Sequence, residues 1–378
     1  MKKILFFVDN FDEGGVSKVL LDLLENINLD KYQITVMALY GGGIYQKRFE
    51  RFARIKHCFI IPDSNDQTLK TNLYRKYWGG MLRLPENLFY KWFIRENYDV
   101  EVAFFHGWST KIIGGSLNKK SKKIAWVHTD LVNWNAADGV FKNLNHHKKT
   151  YEKYQRVISV SHNVQNGMKQ KYGLEGCEVL YNPINKTKIL TQAKETVDYK
   201  PLPNTINLIT VGRLSYEKGY DRLITACHQL NVDQLNFQLI IIGEGPERKK
   251  LEELIQQFNL KDKVKLLGQQ DNPYKYLKLS DLFICSSRGE GFGLVVAEAM
   301  TLGIPVVTVD CAGPRELSNN GEYALLVDNS EEELYKGIKQ LILDKELRFQ
   351  YQERSLIGAN QFSLEKFIKQ VESILDID

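Results

Sequence analysis

The chain has 378 residues, enough for two domains of ordinary size. Its 43% hydrophobic and 26% charged residues, with 27 glycines and 9 prolines, exclude a disordered, collagenous or low-complexity protein. The net charge of +5 hides an asymmetry: residues 1–190 hold 29 Lys and Arg against 18 Asp and Glu, whereas residues 191–378 hold 22 against 28.

A basic first half beside an acidic second half predicts two domains with different partners. An anionic membrane or a phosphate-bearing ligand suits the basic half. A nucleic acid does not, because no nucleic-acid-binding motif occurs. The apolar runs are too short to span a bilayer. Asp9 and Asp12-Glu13 cut short the opening apolar run, and no cleavage site follows it, which argues against a signal peptide. Five widely spaced cysteines (Cys58, Cys177, Cys227, Cys285 and Cys311) without a C-x-x-C read as reduced thiols of a cytoplasmic protein.

In chain order, Ile4–Val8 reads as a strand and Ser17–Leu24 as the helix after it. Gln33–Ala38, Val100–Phe105, Lys123–Val127 and Arg156–Val160 continue the strands. After Asn182-Pro183 the series restarts. Strands are expected at Asn207–Val211, Phe237–Ile242, Val264–Leu267, Leu282–Cys285, Pro305–Val309 and Ala324–Val327. Helices are expected at Tyr220–Leu230, Pro246–Phe258 and Gly293–Thr301. Strands of continuous Ile, Val and Leu alternating with helices predict an α/β protein with two doubly wound parallel-sheet domains. The polar stretch Ala193–Thr205 is expected as the hinge. A final helix, Leu364–Leu375, carries an apolar stripe of Phe367, Val371 and Leu375.

Between the early strands, residues 68–98 interleave rings (Tyr74, Tyr77, Trp78, Phe89, Tyr90, Trp92, Phe93) with cations (Lys70, Arg75, Lys76, Arg83, Lys91, Arg95). That composition suits an interfacial helical hairpin on an anionic membrane, and equally a helical pair covering the sheet. His146 and His147 lie in a lysine-rich stretch and are expected at the surface.

Ligands in open α/β sheets sit at the carboxyl ends of the strands, so the residues just after each strand are the candidates for chemistry. There is no P-loop. Gly243-Glu-Gly-Pro-Glu-Arg248 lacks the third glycine of a dinucleotide fingerprint. The one D-x-D, Asp376-Ile-Asp378, is terminal and a poor metal site. Val211-Gly-Arg-Leu-Ser-Tyr-Glu-Lys-Gly219 ends a strand with a loop bearing Arg213 and Lys218, a fork and a point charge suited to a diphosphate. A solvated surface loop would use the same residues. Ser286-Ser-Arg-Gly-Glu-Gly-Phe-Gly-Leu-Val-Val-Ala-Glu-Ala-Met300 places Glu290 in a glycine-rich turn and Glu298 about two turns along the next helix. Such carboxylates accept hydrogen bonds from sugar hydroxyls; helix capping or an ion pair is the plainer use.

Together with Gly303-Ile-Pro-Val-Val307, these motifs resemble the C-terminal half of the retaining glycosyltransferases of family 4. Asp9-Asn-Phe-Asp-Glu-Gly-Gly-Val16 resembles that family's glycine-bearing first loop, and Asn182-Pro183 its domain junction. The resemblance implies a GT-B fold, two Rossmann-like domains facing across a cleft. It implies an acceptor-side domain of residues 1–190, with residues 362–378 returning to it, and a donor-binding domain of residues 191–361. It implies a hexosyltransferase using a nucleoside-diphosphate sugar, with UDP favoured and uracil against guanine left open. Arg213 and Lys218 would hold the diphosphate and stabilise it as leaving group. Glu298 would bind the ribose, and Glu290 would orient the donor sugar. Gly243, Gly291, Phe292, Gly293 and Leu294 would line the donor, with Gly14 and Gly15 closing on the phosphates. His128 would lie near the reacting carbon.

No obligatory metal is expected, since two fixed cations already answer the leaving charge. The acceptor implied is a saccharide, free or lipid-linked, in cell-surface polysaccharide or glycan assembly. The protein would be cytoplasmic and peripheral on the membrane face, docked through its first domain. A sugar-nucleotide epimerase of the same fold, or an inactive partner subunit, are the alternatives.

Overall fold

A computed structural model describes residues 1–12, 14–61, 68–132, 136–197, 199 and 201–376, without the side chains of residues 69 and 136. Glu13 of the first glycine loop and Ile377-Asp378 of the terminal D-x-D lie outside these residues. The chain divides into two compact units, Met1–Tyr181 with Phe367–Asp378, and Asn182–Lys366.

The first unit is built on seven strands: β1 (Lys2–Val8), β2 (Tyr32–Gly41), β3 (Arg54–Ile60), β4 (Val100–Ala103), β5 (Lys122–Val127), β6 (Arg156–Ser159) and β7 (Cys177–Val179). They pair in parallel in the order β3-β2-β1-β4-β5-β6-β7. The central strands are apolar on both faces because helices cover both sides: Ile4–Phe7 are fully buried. β3 and β7, at the two edges, are not anticipated by patterning. β3 reads RIKHCFI, with polar residues where an edge strand meets water, and β7 has only three residues.

The second unit carries β8 (Ile206–Val211), β9 (Phe237–Ile242), β10 (Val264–Gly268), β11 (Leu282–Cys285), β12 (Val306–Val309) and β13 (Leu325–Val327). Their order, β10-β9-β8-β11-β12-β13, is again parallel and reverses beside β8. That reversal is the topological switch point of a doubly wound sheet, where strand-end loops diverge and leave room for a ligand.

Three local expectations change. The helix Lys186–Gln192 and the stretch 193–205 both fall within the second unit, where the Tyr199 hydroxyl donates to Gln238 at 2.6 Å. His147 is fully buried rather than superficial, stacked on Phe141 and bonded to Tyr172 at 2.9 Å and Asp138 at 3.1 Å. The rings of residues 68–98 also divide. In the helices Leu69–Leu82 and Glu86–Phe93, Trp78, Phe89 and Phe93 gather on buried Phe59, and Tyr90 is buried. Tyr77 and Trp92 stay 47% and 56% exposed.

The helix Leu364–Asp376 buries Phe367, Val371 and Leu375. Within the first unit Phe367 meets the Trp126 ring at 6.0 Å, and Lys2 and Lys122 donate to the carbonyls of Leu375 and Ile374. Asp376 accepts from Tyr32 and pairs with Lys31, so its carboxylate is occupied by protein.

Candidate functional site

In the second unit the loops after β8, β9, β11 and β12 are knitted to one another. The loop after β8 lies on the loop after β9: the Leu214 amide donates to the Glu244 carbonyl and the Glu247 amide to the Leu214 carbonyl, both at 2.9 Å. This approach requires glycine. A Cβ on Gly243, whose φ is +142°, would sit 1.9 Å from the Gly212 carbonyl oxygen. The same holds one turn later, where a Cβ on Gly219 (φ +65°) would meet the Ser286 carbonyl oxygen at 2.2 Å.

A 3-10 turn, Tyr216–Lys218, then carries the chain into the helix Tyr220–Val232. Hydrogen bonds fix this turn and the start of the helix to the loop after β11. The Ser286 hydroxyl donates to the Lys218 carbonyl at 2.9 Å. The Arg288 amide donates to the Glu217 carbonyl at 2.7 Å. Buried Arg222 directs Nε and Nη2 onto the Ser286 carbonyl at 2.8 and 2.6 Å. Arg288 also forms a bidentate pair with Asp221, both bonds at 2.8 Å, and lies over the Tyr216 ring. The motif sequences make Arg222, Asp221 and Arg288 look like filler, yet these residues hold the two motifs in register.

The sequence-predicted charges meet on this frame. The Lys218 ammonium donates to the Glu290 carboxylate, each side chain about one-fifth exposed. Burial works against the Lys218 charge, but the Glu290 carboxylate and then Tyr220 outweigh it and hold the ammonium above the ordinary lysine range. Arg213 is exposed and makes no ion pair among the described residues. Gly291, Phe292 and Gly293 are buried in the turn that opens the helix Leu294–Thr301, on which Glu298 is 3% exposed. The Gly313 amide, in the first turn of the helix Ala312–Leu317 after β12, donates to the Glu290 carbonyl at 2.9 Å. Chemically this is a rim with one exposed cation, one paired cation, two carboxylates and close-lying backbone.

In the first unit Gly14 precedes the helix Gly15–Asn26, and a Cβ there would meet nothing within 4 Å. That open approach suits a bound group, with no steric demand for glycine. His128 directly follows β5. It is buried between Phe104 and Trp126, and burial, with His106 adding to it, pushes its imidazole down to about 3. Two neighbours are not among the sequence-predicted site residues, although Asp9 opens the glycine-bearing first loop. Asp9, directly after β1, accepts from the Ser109 amide at 3.0 Å and hydroxyl at 2.5 Å, and burial pushes its carboxyl up to about 6. His106, after β4, stacks on Phe105 and is pushed down to about 4, chiefly by burial. The only trace of His106 in sequence is its place after a strand. Among the described residues no group of three His, Cys, Asp or Glu is placed to hold a metal ion, and no helix is long and apolar enough to cross a membrane.

Comparison with known proteins agrees with this architecture. Residues 13–188 match the model of Glycosyltransferase Family 4 and residues 194–356 that of Glycosyl transferases group 1. The N-acetylgalactosamine-N,N'-diacetylbacillosaminyl-diphospho-undecaprenol 4-alpha-N-acetylgalactosaminyltransferase of Campylobacter jejuni is 35% identical over 195 residues, 51% of this chain and 52% of that one. A lipopolysaccharide core biosynthesis glycosyltransferase of Rhizobium meliloti is 33% identical over 162 residues, 42% and 46% of the two chains. The chain spans about half the length of the curated relatives it matches. In fold it resembles Anabaena HepE in complex with UDP and glucose, with a TM-score of 0.76 and 20% identity over 99% of both chains. It likewise resembles sucrose-phosphate synthase of Thermosynechococcus elongatus, with a TM-score of 0.74 and 17% identity over 99% and 98%. Two parallel Rossmann-like sheets, of seven and six strands, carrying both family models in succession, make this chain a member of the group 1/family 4 glycosyltransferases of GT-B fold.

Proposed function

We propose that the chain is a retaining glycosyltransferase that moves a hexose unit from a UDP-sugar to a hydroxyl of a saccharide acceptor, lipid-linked, in the assembly of a cell-surface glycan. One observation carries the reading: Lys218 and Glu290 pair on strand-end segments that Arg222, Arg288 and Gly219 lock together at a topological switch point, with Glu298 on the helix that follows. The relatives' names, which include a diphospho-undecaprenol-linked acceptor, support the acceptor class.

In this reading the bond between the anomeric carbon and the diphosphate oxygen breaks, and its electron pair leaves with the diphosphate. Arg213 and Lys218 stabilise that charge as fixed cations, so no metal is required. The acceptor oxygen attacks from the face the diphosphate vacates, and its proton passes to the departing phosphate oxygen, which preserves the anomeric configuration. Glu298 binds the ribose. Glu290, by pairing with Lys218, fixes the cation and orients the sugar. The backbone of Gly243 and of Gly291–Leu294 lines the donor, Gly14 and Gly15 approach the phosphates, and His128 stands near the reacting carbon. The test is incubation with a panel of sugar nucleotides with and without saccharide acceptors. Release of UDP that depends on acceptor, with an α-linked product from an α-linked donor, is expected. Isomer exchange without acceptor would indicate an epimerase, and nucleotide binding without turnover a partner subunit.

Residues 70–95 support membrane docking of the first unit on the cytoplasmic face. Leu73, Tyr77, Leu88 and Trp92 are exposed beside the exposed cations Lys76, Arg83, Lys91 and Arg95. Each such cation contributes about 1 kcal/mol near an anionic leaflet. Co-sedimentation with phosphatidylglycerol vesicles that falls with added salt is expected; equal binding to neutral vesicles would refute docking.

A further inference from the structure

The sheet order sets β1, β4 and β5 side by side at the centre of the first unit. Asp9 and His128 directly follow β1 and β5, and His106 lies three residues past the end of β4. Neighbouring strands lie about 4.8 Å apart, so the three groups share one rim of the sheet. Their polar atoms are scarcely used by the protein. Both ring nitrogens of His128 and Nδ1 of His106 are buried without a hydrogen-bond partner. Asp9 accepts the two Ser109 donors on Oδ1, while its Oδ2 bonds nothing among the described residues. Buried polar atoms left unmade are costly, and three imidazole nitrogens on one rim are best explained by a ligand that completes them.

The chemistry narrows the ligand. Burial keeps both imidazoles neutral, so each offers one N–H donor and one nitrogen acceptor, while Asp9 offers an acceptor. Among the described residues no cation is bonded to these three groups: Lys111, on the helix Trp108–Gly114, donates to the Val140 carbonyl at 2.9 Å and lies over the Trp108 ring. A phosphate would find no positive charge here and a carboxyl beside it. No metal-binding grouping is formed by these residues either. Groups that both donate and accept, ringed by Phe104, Phe105 and Trp126, suit sugar hydroxyls with an apolar ring face alongside.

We propose that Asp9 and His106, with His128, form the acceptor subsite and take the hydroxyl groups of an uncharged saccharide unit. This rests on the transferase reading above and adds the residues and the class of group they hold. Any phosphate on the acceptor would then lie away from this rim.

The test uses the full chain with methyl glycosides of glucose, galactose and N-acetylglucosamine as probes, followed by saturation-transfer NMR, with glycerol 1-phosphate as an anionic control. UDP binding is followed in parallel by thermal shift. At least one glycoside should bind, and Asp9→Asn and His106→Gln should each weaken it by about ten-fold or more, the range for hydrogen bonds to charged or buried groups. The UDP-induced shift should be unchanged in both. Ser109→Ala, which releases Asp9 without removing it, should give a smaller loss and serves if either variant fails to fold. No glycoside binding to the wild type, unchanged binding in the variants, or stronger binding of glycerol 1-phosphate would each overturn the subsite. Loss of the UDP response in the wild type would instead overturn the transferase reading, leaving glycoside binding to be judged on its own.

Discussion

At the strand ends of the C-terminal unit, ionisable side chains meet partners: Lys218 meets Glu290, Arg288 meets Asp221, and Arg222 meets the Ser286 carbonyl. At the strand ends of the N-terminal unit, His106 and His128 keep buried nitrogens unpaired, and Asp9 is held by Ser109 alone. The first arrangement keeps charges charged in a partly buried place; the second holds both imidazoles neutral and leaves Asp9 as a carboxylate with no cation bonded to it among the described residues. A site for a departing diphosphate needs permanent charge. A site for hydroxyls needs donors and acceptors without it. The two units thus use one sheet topology for opposite electrostatics.

The largest effect should come from breaking a pair in the C-terminal unit. Lys218→Ala leaves Glu290 uncompensated and removes leaving-group stabilisation, so transfer should fall by about 10²–10³-fold. Donor affinity should fall by about 1.5–3 kcal/mol. Calorimetric titration with UDP and a UDP-release assay measure both, and wild-type values for both would remove Lys218 from the site.

Acid should act on the N-terminal unit. His106, His128 and His147 are held down to about 4, 3 and 4, mainly by burial, against an ordinary 6.5. The unfolded chain therefore binds more protons than the fold once pH drops below 6.5, and stability should decline from there toward pH 4. Thermal melting across that range checks this; a melting point that holds from pH 7 to 5 would contradict buried neutral imidazoles.

Asp9 works in the other direction and gives the sharpest contrast. Its carboxyl keeps its proton to about pH 6 in the fold but to 3.8 unfolded, so it weakens the fold as pH rises through that interval. Asp9→Asn should therefore raise the melting point at neutral pH, by about 2–4 °C for each kcal/mol relieved, while acceptor turnover falls. Removing a site residue from the C-terminal unit should carry no such gain. A lower melting point in Asp9→Asn would show that the carboxylate is well solvated. The smallest effect expected is that of a chelator: with Arg213 and Lys218 supplying charge, transfer should be unaltered by EDTA. Loss restored by a divalent ion would break the comparison.

What was legible in the sequence follows the same division. The central strands announce themselves because burial on both faces demands continuous Ile, Val and Leu, whereas edge strands β3 and β7 carry polar residues or too few residues to register. The donor-side candidates were legible because glycines forced by close backbone approach, as at Gly219 and Gly243, space the charged residues into a motif. His106 was not, and Asp9 was visible only as the first residue of the glycine-bearing loop, since the link between them comes from strands adjacent in space but about a hundred residues apart in sequence. His147 was misread for a related reason: its lysine neighbours face water, while the ring itself turns inward onto Asp138 and Tyr172.

The helix Leu364–Asp376 sets an order of events. Trp126, Tyr32 and the Lys2 and Lys122 ammonium groups wait for contacts from a segment translated only after all of Asn182–Lys366. During synthesis the unit encoded first therefore emerges early but stays unsealed until this last helix is made. A chain truncated just short of Phe367 should keep its second sheet folded while the N-terminal sheet lies open to proteases.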